Sequence, residues 1–302
     1  MNVNKEVYLD SAEYWKLGRA NKDILEYTHI KNGLRVYLMP SALKNGVVSF
    51  NVAYDVGSKF ENDHEKGSAH FLEHALFQGT GTWGFQSSGA NINAMTQNGL
   101  TNFYATLPSS ELHGWIENEA GRMRHTHFTD AMVLKEARVV RNEMEISESN
   151  PMSLLYSGML KTSMNMFTTI GVRKDIMHAS AASLNSFWEK HYTSNRAAII
   201  CSGDLPGGTS KTLDAIHKHF GDIQPSMETH SPSVIASEQR GIKTFMIDTL
   251  STPANIVTIG IRAPPASMRD SVVMCLISKM VNDENGRAAP ILKSGLFYQL
   301  SA

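Results

Sequence analysis

Two histidines and a glutamate lie within five consecutive residues of this chain, at His70, Glu73 and His74. On an α-helix, side chains four residues apart project from the same face one turn apart, so both imidazoles are able to bind one zinc ion. Glu73 falls on the same face, and the residues on the other sides of the helix are apolar. Unpaired polar groups in a buried helix cost roughly 1–3 kcal/mol each, and one divalent metal ion would satisfy all three.

The order His-x-x-Glu-His reverses the commoner His-Glu-x-x-His zinc motif. So short a motif recurs by chance. The alternative interpretation is a core helix whose histidines are bonded to backbone carbonyl groups. A third ligand elsewhere in the chain is therefore needed to favour a metal site.

A second helix, predicted over about residues 129–147, carries two glutamates seven residues apart, Glu136 and Glu143. Seven residues are two helical turns, so both side chains share a face, and apolar residues surround that face. The two glutamates are otherwise explained as solvated members of a run rich in Glu and Arg. The apolar surroundings favour inward-pointing carboxylates, which need a counter-charge that a zinc-binding helix provides.

The elements around these helices predict an α+β fold with a mostly antiparallel sheet. Period-two patterns and Asn-Gly turns indicate the strands, while apolar residues three and four apart indicate the helices. Residues 151–171 show neither pattern and are predicted to be irregular. The predicted strands cover residues 27–30, 34–39, 47–56, 89–96, 101–107 and 196–201, and the other predicted helices cover residues 110–124, 181–191 and 209–220. The helix with the histidines begins at Ser68, its predicted cap, and ends at Gly79.

Residues 224–241 are rich in Pro, Ser, Glu and Gly and lose their apolar periodicity, so they are predicted to be a linker. After the linker, the order of hairpin, helix and strand repeats without a metal motif. The elements of this repeat are predicted at residues 243–247, 254–262, 267–281 and 296–300. We therefore predict a zinc-binding lobe at residues 1–226 and the start of a second, non-catalytic lobe at residues 227–302.

The amino-acid composition bears on which partners and which location the protein has. With 28 basic and 29 acidic residues the net charge is −1, which favours neither nucleic acid nor an anionic membrane. No secretory signal and no run of about 18 apolar residues is visible, so a cytoplasmic protein without a transmembrane helix is expected. The two cysteines, Cys201 and Cys275, stand in apolar runs and are predicted to be buried thiols. The remaining histidines are single or two apart and are predicted to be ordinary surface or packing residues.

Several stretches together resemble the pitrilysin/insulinase family of inverted-zincin metallopeptidases, in the style of its mitochondrial processing peptidase branch. They match the family in both residue type and order, which makes them more specific than the five-residue motif alone. The matching stretches are residues 32–36, 57–62, 67–80, 89–94, 136, 141–145 and 203–204.

The resemblance implies hydrolysis of peptide bonds with one zinc ion as cofactor. By this resemblance the metal ligands are His70, His74 and Glu143, and Glu73 is the general base that accepts a proton from water. Glu143 is thereby the third ligand that the motif requires.

The resemblance also implies roles outside the metal ligands. Glu136 corresponds to a family position that supports the site by contacting a ligand. Asn93 and Ala94 lie on the edge strand beside which the family places its peptide or unfolded polypeptide substrate.

Two departures from the family pattern concern the architecture. The spacing from His74 to Glu143 is shorter than this branch leads us to expect, and a trimmed surface loop is predicted around residues 81–88. The family folds as duplicated lobes that close over the peptide, whereas the second lobe here is incomplete at Ala302. Either the chain is a fragment, or a homodimer mate or partner subunit completes the chamber.

Three other functions remain open on the sequence. One is a catalytically silent core or scaffold subunit of a peptidase-like complex. Another is a zinc lyase resembling S-ribosylhomocysteine lyase, with Cys201 as the third ligand. The last is a peptide-binding module without turnover.

Overall fold

A computed structural model describes most of the chain. The described residues are 13–20, 23–78, 82–124, 127–228, 231–232, 241–247, 256, 268–282 and 289–290. The chain forms two compact units, Met1–Pro253 and Ala254–Ala302. All of the candidate site residues lie in the first unit.

The described residues of the first unit form one seven-stranded sheet. Its strands are β1 (Trp15–Ala20), β2 (Leu25–His29), β3 (Arg35–Pro40), β4 (Val47–Tyr54), β5 (Asn91–Thr96), β6 (Thr101–Pro108) and β7 (Ala197–Gly203). They lie side by side in the order β1-β2-β3-β7-β4-β6-β5. Only the pairing of β3 with β7 is parallel, which confirms the predicted mostly antiparallel sheet.

One face of the sheet forms the core. On β4, residues at even positions from Val48 to Tyr54 are fully buried, whereas the alternate residues are half-exposed. In register with Val52 lie Ile199 on β7 and Phe103 on β6, so the buried side chains of neighbouring strands pack beside one another. Because successive strand residues point to opposite faces, this register buries one face only, and the helices pack against it.

Eight helices belong to the described part of this unit. They are α1 (Ser68–Gln78), α2 (Thr82–Ser87), α3 (Leu112–Arg124), α4 (Asp130–Ser149), α5 (Pro151–Met164), α6 (Arg173–His178), α7 (Ala181–His191) and α8 (Gly208–Phe220). Helix α1 contacts β5, β6, α4 and α7, and α3 packs between β4 and α8. Helix α4 begins after Thr129, whose side chain accepts a hydrogen bond from the Met132 N–H and so satisfies one unpaired donor of the first turn.

Residues 151–171 are more helical than predicted, since α5 occupies most of that stretch. The Asn150 side chain accepts from the N–H groups of Met152 and Ser153, and Pro151 stands at the start of the helix. Asn165 ends it in the left-handed conformation. Periodicity missed this helix because nearly all of its side chains are partly exposed; the capping residues were the available signal.

Two further elements differ from the sequence prediction. Strand β1 was not predicted, because only Trp15 of its six residues is buried and no period-two pattern results. The predicted loop at residues 81–88 contains the short helix α2. The Phe85 ring anchors this helix by packing edge-on against Trp115, at 5.1 Å between centroids.

The predicted strand at residues 243–247 is wrong. These residues have no regular structure, and the Phe245 ring instead lies against Gly158 of α5. A strand satisfies its backbone groups by pairing, and no described strand lies beside this segment.

In the second unit, the described residues include helix α9 (Asp270–Asn282), where a helix over residues 267–281 is predicted. Cys275 on this helix is exposed, contrary to the prediction that it is buried, whereas Cys201 on β7 is buried as predicted. The predicted strands at residues 254–262 and 296–300 lie outside the described residues, apart from residue 256. None of the helices in the described ranges is long and apolar enough to span a membrane.

Candidate metal centre

Helix α1 buries every side except the one that carries the polar motif. Phe71, Leu72, Ala75 and Leu76 are buried in the core. His70, Glu73 and His74 are half-buried. The helical periodicity places the three polar groups together on the remaining face, as the sequence predicts.

Helix α4 brings Glu143 to this face. Its Oε2 atom lies 3.6 Å from His70 Nε2 and 3.3 Å from His74 Nε2. One potential ligand atom from each of these residues lies within 4.8 Å of the others. In a tetrahedral zinc site with bonds of about 2.0–2.1 Å, ligand atoms are about 3.3 Å apart, so this donor set fits one zinc ion.

Glu136 lies one layer behind this group. It is 3% exposed, and its Oε2 atom lies 3.5 Å from Nδ1 of His74. In zinc sites the ring nitrogen that does not bind the metal commonly donates to a carboxylate, which fixes the tautomer and the ring orientation. In this structure Nδ1 of His74 faces Glu136, and Nε2, the other ring nitrogen, faces Glu143.

Electrostatics keep His70 in the form that binds metal. Burial and, to a smaller extent, the neighbouring His74 lower the pKa of His70 to about 4. His70 is accordingly neutral at pH 7, with a lone pair free for a cation. The site thus offers two imidazoles and a carboxylate without first losing a proton from His70.

Glu73 is hydrogen-bonded to the edge strand of the sheet. The Thr96 hydroxyl at the end of β5 donates to Glu73 Oε2 at 2.5 Å. Burial raises the pKa of Glu73 above its usual value, whereas the Thr96 hydrogen bond and the charge of His74 lower it and Glu143 raises it. A carboxylate whose pKa is shifted towards neutrality is suited to accept a proton near pH 7.

The edge strand β5 carries the two predicted substrate-contacting residues. Asn93 is in register with Tyr104 of β6 and Ala94 with Phe103, and no described strand pairs with the other edge of β5. The Ala94 N–H donates to the Asn93 side-chain oxygen at 2.8 Å. An edge of this kind presents backbone groups to which an extended peptide is able to add.

The turn after β5 is packed against the loop that precedes α1. The Lys59 N–H donates to the Asn98 carbonyl oxygen at 2.8 Å, and Ser58 makes a longer bond to Gln97. A side chain at Gly57 would collide with the carbonyl oxygen of Gln97, so this close approach requires glycine. The contact fixes the end of β5, and with it Thr96, relative to α1.

The sequence does not reveal Thr96 as a partner of Glu73. The strand period places it on the same face as Ala94, but nothing in the sequence shows that this face lies opposite α1. The contact depends on the packing of α1 against β5, and sequence spacing does not encode it.

Cys201, the alternative third ligand of a lyase-like site, is not part of the group. It lies on β7 with no exposed surface, and burial raises the pKa of its thiol to about 12. Among the described residues, the group that could hold a metal ion contains Glu143 in its place.

The fold and the arrangement of the site are those of the inverted-zincin class. In this class a helix with the motif His-x-x-Glu-His faces a glutamate from a later helix. Residues 37–172 match the insulinase family (peptidase family M16), and residues 178–302 match the peptidase M16 inactive domain. This chain belongs to the M16 (insulinase) peptidase family, which confirms the resemblance found in the sequence.

Curated relatives carry peptidase names. The zinc protease PqqE of Helicobacter pylori is 25% identical over 272 residues, covering 85% of this chain and 61% of its own length. The human mitochondrial-processing peptidase subunit beta is 28% identical over 220 residues, covering 69% of this chain and 44% of its own length. The chain thus spans between two fifths and two thirds of the length of these relatives.

A solved structure shares the fold. The crystal structure of a protease from Helicobacter pylori superposes with a TM-score of 0.77 at 24% identity. The superposition covers 91% of this chain and 70% of that one. The α+β architecture is therefore that of M16 peptidases.

Proposed function

We propose that this chain is a zinc-dependent endopeptidase that hydrolyses peptides or unfolded polypeptides bound as an added β-strand. The observation that carries the proposal is the convergence of His70, His74 and Glu143 from two helices, with Glu73 alongside. The peptidase names of the relatives support the same reaction class.

A zinc ion held by these residues would act as a Lewis acid, polarising the scissile carbonyl group and making water more acidic. Glu73 accepts the proton of the attacking water, since its carboxylate lies on the same helical face as both histidines. Thr96 orients Glu73 by donating to one of its oxygens, which leaves the other oxygen to act as the base. Glu136 holds His74 through Nδ1.

The substrate would lie along β5 beside Asn93 and Ala94. Backbone hydrogen bonds to an edge strand require an extended chain, so folded domains are poor substrates. Peptides in which backbone N–H groups are methylated near the scissile bond should therefore show a raised KM, whereas methylation far from that bond should leave KM unchanged.

The test is Glu73→Gln in the purified chain loaded with one equivalent of zinc. We expect hydrolysis of an unstructured fluorogenic peptide to fall by at least about 100-fold, because general-base catalysis supplies roughly 10²–10⁴-fold. Zinc content should stay the same. Glu117→Gln, at an exposed position on α3, is the matched control and should keep full activity. Unchanged cleavage by Glu73→Gln would overturn the assignment of the base.

A second candidate is a catalytically silent subunit that binds peptide within a larger assembly. The match of residues 178–302 to the inactive domain of the family favours it. A second copy or a partner subunit would then complete the chamber. Zinc-loaded chain that binds peptide but does not cleave it, alone or as a dimer, would support this candidate over the first.

The cellular location and the two-lobe division stay predictions. The predicted boundary between residues 226 and 227 places the candidate metal centre wholly within the first lobe.

A further inference from the structure

We propose that Glu61 and Arg122 are positioning residues that hold the two ends of α1, and thereby set where His70 and His74 stand relative to Glu143. The inference rests on the metal site of the proposed function. We call the hydrogen bonds made by Glu61 and Arg122 to the backbone of α1 and its preceding residue the two end contacts of α1.

The first end contact is made by Glu61, which is fully buried. Its two carboxyl oxygens accept from the N–H groups of Gly67 and Ala69, at 2.9 and 3.0 Å. The first N–H groups of a helix have no partner within the helix, so these bonds satisfy donors that would otherwise be unpaired. Ala69 directly precedes His70, and the bond therefore fixes the backbone from which the first histidine projects.

The surroundings of Glu61 show that the contact is costly to form. Burial raises the pKa of Glu61 strongly, and with the opposing effects of the two N–H donors and the Lys66 ammonium included this pKa is still about 8. Lys66 donates through Nζ to the backbone oxygen of Glu61 at 2.6 Å, which holds a compensating charge close by. Gly67 has a φ of 102°, and a side chain there would collide with the Ile170 backbone. The backbone conformation just before α1 is therefore tightly restricted.

The second end contact is made by Arg122 of α3, which is 1% exposed. Its Nη1 donates to the Leu76 carbonyl oxygen at 3.0 Å, in the last turn of α1. Its Nε and Nη2 atoms donate to the two carboxylate oxygens of Glu119, at 3.1 and 3.0 Å, so the buried charge is neutralised. The guanidinium also lies over the Phe103 ring of β6, 4.3 Å from its centroid.

Above its pKa of about 8, Glu61 carries a negative charge, and the charges of Glu61 and Arg122 then match the polarity of the helix. A helix carries partial positive charge at its N-terminus and partial negative charge at its C-terminus. Glu61 presents a carboxyl group to the first and Arg122 a guanidinium to the second. Because they belong to the preceding loop and to α3, the two contacts fix α1 along its axis against independent parts of the fold.

Fixing that axis matters because the third ligand comes from another helix. Glu143 on α4 meets both histidines at 3.3–3.6 Å, a spacing that a shift of α1 by a fraction of a turn would break. Neither Glu61 nor Arg122 is among the residues that contact the metal-binding atoms. Their effect on metal binding must therefore pass through the backbone of α1.

The experiment compares Glu61→Gln with Ser68→Ala, a control at the same helix end whose side chain makes none of the end contacts. Zinc affinity of the folded chain is measured at pH 8.5 by competition with a chelator, and the coordination geometry by the visible spectrum of the Co²⁺ form. Glutamine has nearly the shape of glutamate, but its NH₂ group would face one of the two backbone N–H groups, so one of the two hydrogen bonds would be lost. We expect zinc binding about 10-fold weaker, with an altered Co²⁺ spectrum, as for other groups behind a metal ligand. Ser68→Ala should change zinc affinity less than about 2-fold on the same basis.

A merely structural role predicts a different result. In that case Glu61→Gln would lower the unfolding midpoint while the folded fraction bound zinc as tightly as the parent, and the inference would be overturned. If Glu61→Gln does not fold, the double variant Glu119→Gln, Arg122→Met tests the other end, since it removes both buried charges together. It too should weaken zinc binding, and unchanged affinity there overturns the inference.

Amide hydrogen exchange of the metal-free chain separates this inference from the proposed function. Loss of the end contact should speed exchange at Gly67 and Ala69 in Glu61→Gln and not in Ser68→Ala; equal rates in both variants would contradict the contact. A parent chain that binds no zinc would overturn the proposed function and the link to the metal site. The exchange rates would still decide whether Glu61 holds the end of α1.

Discussion

The Thr96 hydroxyl donates to Glu73 Oε2 at 2.5 Å and so joins the edge strand β5 to the metal-site helix α1. The strand proposed to receive the substrate therefore touches the proposed general base directly. One carboxylate oxygen of Glu73 is therefore hydrogen-bonded to Thr96, and the orientation of the carboxylate depends on the position of β5.

Replacement of Thr96 by valine keeps the shape and removes the hydroxyl. It should lower kcat about 10-fold, less than the roughly 10²–10⁴-fold that a general base supplies, because Glu73 remains and only its orientation is loosened. Zinc affinity should not change, because Thr96 contacts Glu73 and no ligand. Thr96→Ser retains the donor and should keep most of the activity. Steady-state kinetics with zinc titration check this, and a rise in KM alone would mean that Thr96 acts on substrate binding.

Glu143→Ala should remove zinc from the purified chain. Two imidazoles alone are an incomplete set for a tetrahedral site, in which three protein ligands are usual for catalysis. Elemental analysis should give about one zinc per parent chain and little in the variant. Glu145→Ala, an exposed position on the same helix, is the control. Equal zinc in Glu143→Ala and in the parent would place the third ligand elsewhere.

Glu136→Gln should weaken zinc binding by about 10–100-fold while the site keeps the same three ligands. The amide is close in shape to the carboxylate but is a weaker acceptor for the Nδ1 hydrogen of His74. Competition with a chelator measures the loss. Glu148→Gln on the exposed side of α4 should have no effect, and a Glu136→Gln chain with parental affinity would show that His74 is oriented by packing alone.

The two cysteines should differ sharply in reactivity. Cys201 is fully buried on β7 with its thiol pKa raised to about 12, whereas Cys275 is exposed on α9. The thiolate is the reactive form, so a maleimide or a disulfide reagent should modify one thiol per folded chain and both after denaturation. Peptide mapping identifies the modified residue. Rapid labelling of Cys201 in the folded chain would contradict its position in the sheet.

The pair His29 and His217 should make stability depend on pH. Their ring nitrogens are 3.0 Å apart, and burial together with His217 lowers the pKa of His29 below its usual 6.5. The unfolded chain then binds a proton more readily, so this contribution to stability is present above pH 6.5 and is lost as the pH falls towards the lower folded-state pKa.

Chemical denaturation between pH 7.5 and 5 tests this pair. The free energy of unfolding of the parent should fall more steeply than that of His29→Gln, by up to about 1.4 kcal/mol per pH unit. His113→Gln, an exposed position on α3, should follow the parent curve. Parallel curves for the parent and His29→Gln would show that His29 has no depressed pKa.

Much of the fold could be predicted from the sequence, because its signals are local. The alternation along β4 and the turn at residues 97–99 depend only on neighbouring residues, and so does the start of α4 at Thr129. The sequence also placed Glu136 on the apolar side of α4. Helix α5 and strand β1 escaped prediction because partial exposure removes the periodicity on which such predictions depend.

By itself, then, the sequence determined which residue types could form a metal site and on which helical faces they stand. Only the tertiary structure decided that Glu143 meets His70 and His74, that Thr96 reaches Glu73, and that Glu61 and Arg122 contact the ends of α1. Those contacts join residues far apart in the chain. They form when β5 and β6 pair and the helices pack on the buried face of the sheet, an arrangement set by the whole core and not by any single segment.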